Sequence, residues 1–373
     1  MKRRSHKKSR GGCLECRRRH IKCDETQGAC INCITAERHC EYRGQSAPVI
    51  TNQIDDDASS AGTLAQTPSF MADLGDPAVN MNHMELLIHF SPKAAFPEME
   101  RGDFRPGTDL MLKMSLEAPY LLHQVLAISA RHLSVLRPSQ SAFYLHQATQ
   151  LQTRSISIFK ASQLLINSST CVPMVFYSSL LGRHLLADVL ANRNPELSSF
   201  LDNFIQYVRL HRGVKVIASG NWHLLIASDL LPFIRWGTPP PELTGRGCEC
   251  SELRRLVLEQ SHLDETSLKA CQDVIELLQV GFDELNNPHE ERSPYSLIFT
   301  WIILSPEEFF YLLERRQPEA IAILGYYAAL LHRGQHIWQI ADSGARLFCS
   351  ISQHLGPAFA PWLSWPQEVI SCL

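Results

Sequence analysis

No run of about 18 consecutive apolar residues occurs in this 373-residue chain, so no segment reads as a membrane-spanning helix. The first residues, MKRRSHKKSRGG, lack the apolar stretch of an export signal, and export is not expected. Alternating polar and apolar strand patterns are scarce. There is no G-x-S-x-G elbow, no P-loop and no G-x-G-x-x-G, which removes the common hydrolase, nucleotide and dinucleotide signatures. His332 and His336 stand four apart, a spacing that can hold a metal on a helix. Arg333 occupies the place where a zincin needs Glu, so the pair reads as structural or as surface. The expectation is a protein that is not an enzyme.

The chain does hold twelve cysteines. Six lie near the amino terminus: Cys13, Cys16, Cys23, Cys30, Cys33 and Cys40. Their spacing is C-x2-C-x6-C-x6-C-x2-C-x6-C, the same C-x2-C-x6-C twice in succession. Thiolate pairs two residues apart are the usual bite for zinc. Six thiolates are too few for two separate tetrahedra, but they suffice if two sulfurs bridge both metals. The expected cofactor is therefore two zinc ions, held with sulfur only and no open position, hence structural. The alternative, a disulfide framework, needs an oxidising compartment. Between the second and third cysteines runs Arg17-Arg18-Arg19-His20-Ile21-Lys22. A metal cage with a basic face points to a DNA-reading module.

The stretch KSRGGCLECRRRHIKCDETQGACINCITAERHCEY, residues 8–42, resembles the fungal binuclear zinc cluster family of transcription factors. The resemblance implies that Cys13 and Cys30 are the bridging ligands. It also implies a nuclear regulator of RNA polymerase II genes whose partners are double-stranded DNA and the transcription machinery. Gly28 stands where many members carry proline, and His20 where lysine or arginine often reads a base. The first repeat should face DNA, because the second carries only Arg38, beside Glu37, between its last two cysteines. Its short helix would enter the major groove, with Arg19, His20 and Lys22 nearest the bases and Arg17 and Arg18 near phosphates.

Charge is divided along the chain. Residues 1–43 hold 12 Lys/Arg against 5 Asp/Glu, leaving 23 against 33 for residues 44–373. The basic part suits a polyanion and nuclear import; the rest shows no sign of touching nucleic acid. Residues 1–11 read as a basic arm, 12–43 as the cluster and 44–80 as a flexible linker without a/d heptads. Asp55-Asp56-Asp57 reads as a solvated run of that linker. Without a coiled coil the oligomeric state stays open.

Residues 81–373 read as one all-α domain, which makes the whole chain mainly α. Apolar helical spacing recurs at 119–136, between Pro119 and Pro138, and at 140–166, 172–191, 197–218, 264–286, 317–333 and 335–354. A Pro- and Trp-containing tail, APWLSWPQEV, follows. Leu268, Cys271, Ile275, Leu278, Phe282 and Leu285 form a 3–4 seam, too short for a zipper and better read as an internal packing face. Of the remaining cysteines, Cys248 and Cys250 form a C-x-C in a Gly-rich loop and read as reduced loop thiols. Segments such as MELLIHF (84–90), PYLLHQVLAISARHLSVLRP (119–138) and PEAIAILGYYAALLHR (318–333) resemble the helical regulatory domain of the sterol uptake control protein group. That resemblance implies a domain able to bind a sterol or other lipophilic small molecule and restrain activation, with some members controlling secondary-metabolite genes. The other reading is a ligand-free protein-interaction scaffold. No ligand-contacting residue is assigned.

Overall fold

The computed structural model describes residues 11–26, 30–36, 38, 40–42, 79–97, 105–193, 196–239, 243–290 and 292–371. The arm before residue 11, most of the linker with Asp55-Asp56-Asp57, and Gly28, Glu37 and Cys372 lie outside the described residues. The chain divides into two compact units, Met1–Leu74 and Gly75–Leu373. Among the described residues every regular element is a helix and none is a strand.

The first unit holds two five-residue helices, α1 (Leu14–Arg18) and α2 (Ile31–Thr35). Its buried interior consists of cysteine sulfur, with Cys40 and Tyr42 packed against it. A core without aliphatic side chains cannot hold so short a segment by burial, so the fold depends on what joins the sulfurs.

The second unit begins with α3 (Met81–His89), α4 (Pro92–Ala95) and α5 (Arg105–Glu117). α6 (Pro119–Leu136) has Pro119 at its first position and gives way to a 3-10 turn at Pro138–Gln140, as the two prolines predict. It pairs with α7 (Ser141–Ser162). α8 (Cys171–Ala191), α9 (Leu197–His211), α10 (Gly213–Gly220), α11 (Trp222–Ile226) and α12 (Leu231–Gly237) follow. Next come α13 (Ser251–Gln260), α14 (Glu265–Asn286), α15 (Ser296–Leu304) and α16 (Glu307–Glu314). α17 (Pro318–Arg333), α18 (Ser343–Leu355) and α19 (Ser364–Ser371) complete the unit.

The larger core forms around α17, where every residue from Ala320 to His332 is buried. A helix apolar on all sides belongs inside. Trp301 of α15 stacks on Tyr327 with ring centroids 4.4 Å apart, and the Tyr327 hydroxyl donates to the Ile298 carbonyl at 2.8 Å. The α14 seam faces inward: Cys271, Ile275, Leu278 and Phe282 are buried, and Leu268 and Leu285 pack against the same core. Asp264 caps this helix by accepting the Ser267 N–H at 3.0 Å. No single helix among the described residues is long and apolar enough to cross a membrane.

Several expectations need correction. The helix read over 140–166 ends at Ser162, because Gln163 adopts a left-handed backbone (φ 43°). Asn167 then builds a polar turn, its Oδ1 accepting N–H groups of Ser169 and Thr170 at 2.9 and 3.1 Å, which leaves Leu165 83 % exposed. The helix over 197–218 breaks at Arg212, whose guanidinium donates to the carbonyls of Ile302 and Ser305 near the end of α15. Residues 335–342 are turns, and α18 starts only at Ser343. There the Trp338 indole donates to the Ala94 carbonyl at 3.0 Å, tying the segment to α4. The tail is itself helical, a 3-10 stretch Pro357–Leu363 leading into α19. Cys250 is also no loose loop thiol: it is fully buried at the start of α13, its N–H bonded to Gln279 Oε1 at 2.9 Å. Cys248 is exposed. His332 is buried at the end of α17, and His336, beyond that helix, packs edge-on against Tyr295.

Gly344 opens α18 where it crosses α17. A Cβ there would collide with the backbone of His332 and Ala328, so Ala would force the helices apart. Gly344→Ala is expected to destabilise the unit by roughly 1–3 kcal/mol. Gly213→Ala, with open space around it, should be neutral or stabilising. Thermal melting of the two variants checks this.

Candidate metal centre, basic face and cleft

Each repeat of the sequence builds the same local structure. Cys13 is extended (φ −61°, ψ 159°) and caps α1, its Sγ accepting the Cys16 N–H at 3.4 Å. Cys30 stands in the same conformation before α2 (φ −76°, ψ 150°). The C-x2-C pair thus spans the first helical turn both times, which sets two sulfurs on one side. The third cysteine of each repeat returns to the first: the Cys13 N–H donates to Cys23 Sγ at 3.5 Å and the Cys30 N–H to Cys40 Sγ at 3.2 Å.

All six predicted cysteines come together. The sulfurs of Cys13, Cys16, Cys23 and Cys30 lie within 4.8 Å of one another, as do those of Cys13, Cys30, Cys33 and Cys40. Cys13 and Cys30 belong to both groups. Measured separations are 3.7 Å for Cys13–Cys30, 3.6 Å for Cys13–Cys33 and 3.5 Å for Cys16–Cys30. A zinc tetrahedron with Zn–S near 2.3 Å has an S–S edge of about 3.8 Å. Two such tetrahedra sharing one edge fit this cage. Burial pushes the Cys16 thiol up to about 12 and the Cys30 thiol further, whereas at Cys13 and Cys23 hydrogen bonds outweigh burial and hold the thiols below the usual range; cations would hold the whole set as thiolates.

Polar groups brace the halves. Asp24 accepts the Ile31 N–H, the first of α2, at 3.1 Å, and Asn32 Nδ2 donates to the Lys22 carbonyl at 2.8 Å. The Thr26 hydroxyl beside Asp24, together with that N–H, holds its carboxyl below the usual range. Glu15 lies between the repeats. Its carboxylate receives Arg18 Nε at 3.0 Å and Nη2 at 3.1 Å, and Arg38 Nη1 at 2.9 Å. The two guanidinium groups hold Glu15 below its ordinary value.

α1 ends at Arg18, so Arg19, His20 and Lys22 lie beyond the helix and not along it, a correction to the helical reading of that face. Arg19 is the C-cap and His20 is left-handed (φ 54°). The His20 N–H donates to the Arg17 carbonyl at 3.2 Å and the Ile21 N–H to the Cys16 carbonyl at 3.1 Å. This paired return is the Schellman close of a helix, with His where glycine is usual. The second repeat has the matching bond from Arg38 N–H to the Cys33 carbonyl at 2.9 Å. Arg17, Arg18, Arg19, His20 and Lys22 are all exposed. Sequence reasoning missed the engagement of Arg18 by Glu15; the i, i+3 spacing on a helix was its one signal.

The helical unit contains a cleft of about 410 Å³, within the size range of small-molecule sites. Val175, Ser179 and Arg183 line it from one stripe of α8, Phe299 and Ile303 from α15, and Ala218, Trp222 and Phe233 from the α10–α12 side. Arg183 has its guanidinium 3.9 Å from the Phe299 ring centre and 4.5 Å from that of Phe96. Burial, then the nearby Arg183 charge, pushes the wall residue His211 down to about 4, so it is neutral at neutral pH. No Asp or Glu is among the described residues lining the cleft.

Residues 11–48 match the fungal Zn(2)-Cys(6) binuclear cluster domain, so the chain carries a domain of the kind that binds two zinc ions. It is similar to a Zn(2)-C6 fungal-type transcription factor of Gibberella zeae, 22% identical over 430 residues covering 98% of this chain and 86% of that protein. The Zn(2)-C6 fungal-type transcription factor afumD of Aspergillus fumigatus is 24% identical over 328 residues, covering 85% and 83%. Sterol uptake control protein 2 of Saccharomyces cerevisiae is 34% identical over 77 residues, 18% of this chain and 8% of that protein, too short a match to span the helical unit. These relatives are transcription factors and regulators, not enzymes.

Intact zinc-loaded protein is expected to carry two zincs in native mass spectrometry. Cys30→Ser, which removes a sulfur common to both groups, should release both. Cys40→Ser touches one group only and should leave one metal partly retained. His20→Gly should keep full zinc content, since glycine suits a left-handed position.

Proposed function

We propose that the chain is a sequence-specific DNA-binding regulator of transcription that acts in the nucleus through its zinc cluster. The observation that carries this reading is the edge-sharing sulfur cage with an exposed basic turn leaving its first helix. In this reading Cys13, Cys16, Cys23, Cys30, Cys33 and Cys40 are the ligands. Zinc fixes the turn, Arg19, His20 and Lys22 reach base edges, and Arg17 reaches phosphate. The arm (1–11), cluster (12–43), linker (44–80) and helical domain (81–373) act as successive parts, the last engaging the transcription machinery. In binding selections from random DNA, the native protein is expected to enrich one short motif. His20→Gly should lose preference at one base pair by roughly 1–3 kcal/mol. Equal losses on motif and random DNA would show that His20 does not read sequence.

The helical domain tunes output by taking a lipophilic molecule, sterol-like or otherwise, into the cleft. The mainly apolar walls and their few polar anchors support this. The targets would be sterol or secondary-metabolite genes. Ergosterol or a lipophilic cell extract is expected to raise the melting temperature of the whole chain, and Ala218→Trp, which fills the cleft, should abolish the rise. No rise with any lipophile, together with a stoichiometric protein partner, would favour the scaffold.

A further inference from the structure

The basic face is less basic than its sequence. Of the three consecutive arginines after Cys16, the middle one is exposed but has its guanidinium engaged by a carboxylate. Arg18 closes a two-bond fork on the carboxylate of Glu15, and Arg38 of the second repeat donates to the Oε1 that also accepts Arg18 Nη2. Glu15 is the most sheltered member of the trio: its side chain is 15% exposed, against 71% for Arg18 and 48% for Arg38. A carboxylate in a guanidinium fork occupies the position and geometry a phosphate would take.

We infer that Glu15 is a positioning residue that acts as a built-in phosphate substitute, holding Arg18 and Arg38 off the DNA backbone and so raising the discrimination of the cluster for its own site. Phosphate contacts add affinity for every sequence alike. Specificity is the ratio of site binding to random binding, and a carboxylate that offsets one positive charge while holding two guanidinium groups lowers the part common to both. Arg19, His20 and Lys22 are left to carry binding. The same three-way pair links the repeats across the cage, so the turn that bears Arg19 and His20 keeps a fixed attitude to the second helix. The inference rests on the DNA-binding reading above and sets aside the phosphate contact expected of Arg18 from the sequence.

The experiment measures affinity of the intact, zinc-loaded chain for its selected motif and for random duplex across a salt series. Glu15→Gln, close in shape but uncharged, is expected to bind random DNA about tenfold more tightly, to steepen the salt slope by roughly one to two units, and to lower the motif-to-random ratio. Adding Arg18→Gln to Glu15→Gln should bring the slope back by about one unit. On the native background Arg18→Gln should leave the slope unchanged, whereas Arg19→Gln should reduce it by about one. Zinc content by native mass spectrometry accompanies each variant. If Glu15→Gln loses zinc, the Arg18→Gln and Arg19→Gln slopes decide the matter, since both are read without disturbing the carboxylate. A full-unit drop with Arg18→Gln, or an unchanged slope and ratio in zinc-loaded Glu15→Gln, overturns the inference while DNA binding stands. A zinc-loaded native chain that selects no motif and binds no duplex overturns the underlying reading as well.

Discussion

The first unit depends on two sulfurs that each belong to two sets. Cys13 and Cys30 stand in both four-sulfur groups, and each also begins a helix. One residue therefore fixes the start of a helix, the separation of two metal positions and the attachment of one repeat to the other. Among the described residues no aliphatic core stands behind it. In a module this small, metal coordination takes the place of hydrophobic burial, and everything on its surface inherits its position from the cage. The left-handed His20 is an example. Its backbone is set by the return of the Ile21 N–H to the carbonyl of Cys16, a residue whose sulfur lies in the cage. The presentation of the basic turn is thus only a few covalent bonds removed from the metal.

The second unit rests on a different constraint. α17 is buried along thirteen consecutive positions, from Ala320 to His332, and the neighbouring helices must close around it. Gly344 permits a close approach by offering no Cβ to the α17 backbone. Because the burial is apolar, substitutions there act through packing volume. In the cluster they act through coordination. The two units should respond differently to chelation, which attacks the first and leaves the second its core.

What the sequence disclosed follows how local each determinant is. The cysteine spacing is local, and the repeat of C-x2-C-x6-C is enough to anticipate one six-sulfur cage, while the sharing of Cys13 and Cys30 is implied by the family resemblance. Pro119 and Pro138 punctuate α6, and its bounds were legible. The α14 seam showed its inward face through spacing alone. The misses have distant causes. The turns at 335–342 exist because Trp338 and Gln339 bond to carbonyls of Ala94 and Ala95, 244 residues away. The break at Arg212 exists because its side chain finds carbonyls 90 and 93 residues on. Gln163 takes a left-handed conformation for which glutamine gives no signal. The pairing of Glu15 with Arg38 joins residues 23 apart across the repeats, and no periodicity announces it. The cleft, lined from Phe96 to Leu304, exists only in the folded unit.

The walls of that cleft are unequal. One side comes from α8, 21 residues long, and from α15, whose Trp301 and Ile302 are wholly buried in the larger core. The other side is α10, α11 and α12, of eight, five and seven residues. Helices this short have few internal hydrogen bonds and take their positions from what they pack against. A molecule in the cleft would replace part of that packing for the short helices and little of it for the long ones. A ligand changes output only through a difference in affinity between two arrangements, and the short-helix wall is the side on which two arrangements would differ least in energy. The polar lining groups Lys215 and Ser219 of α10 belong to that wall. Any coupling between occupancy and output would therefore begin in the segment from Gly213 to Gly237, and not in the buried helix at the centre of the unit.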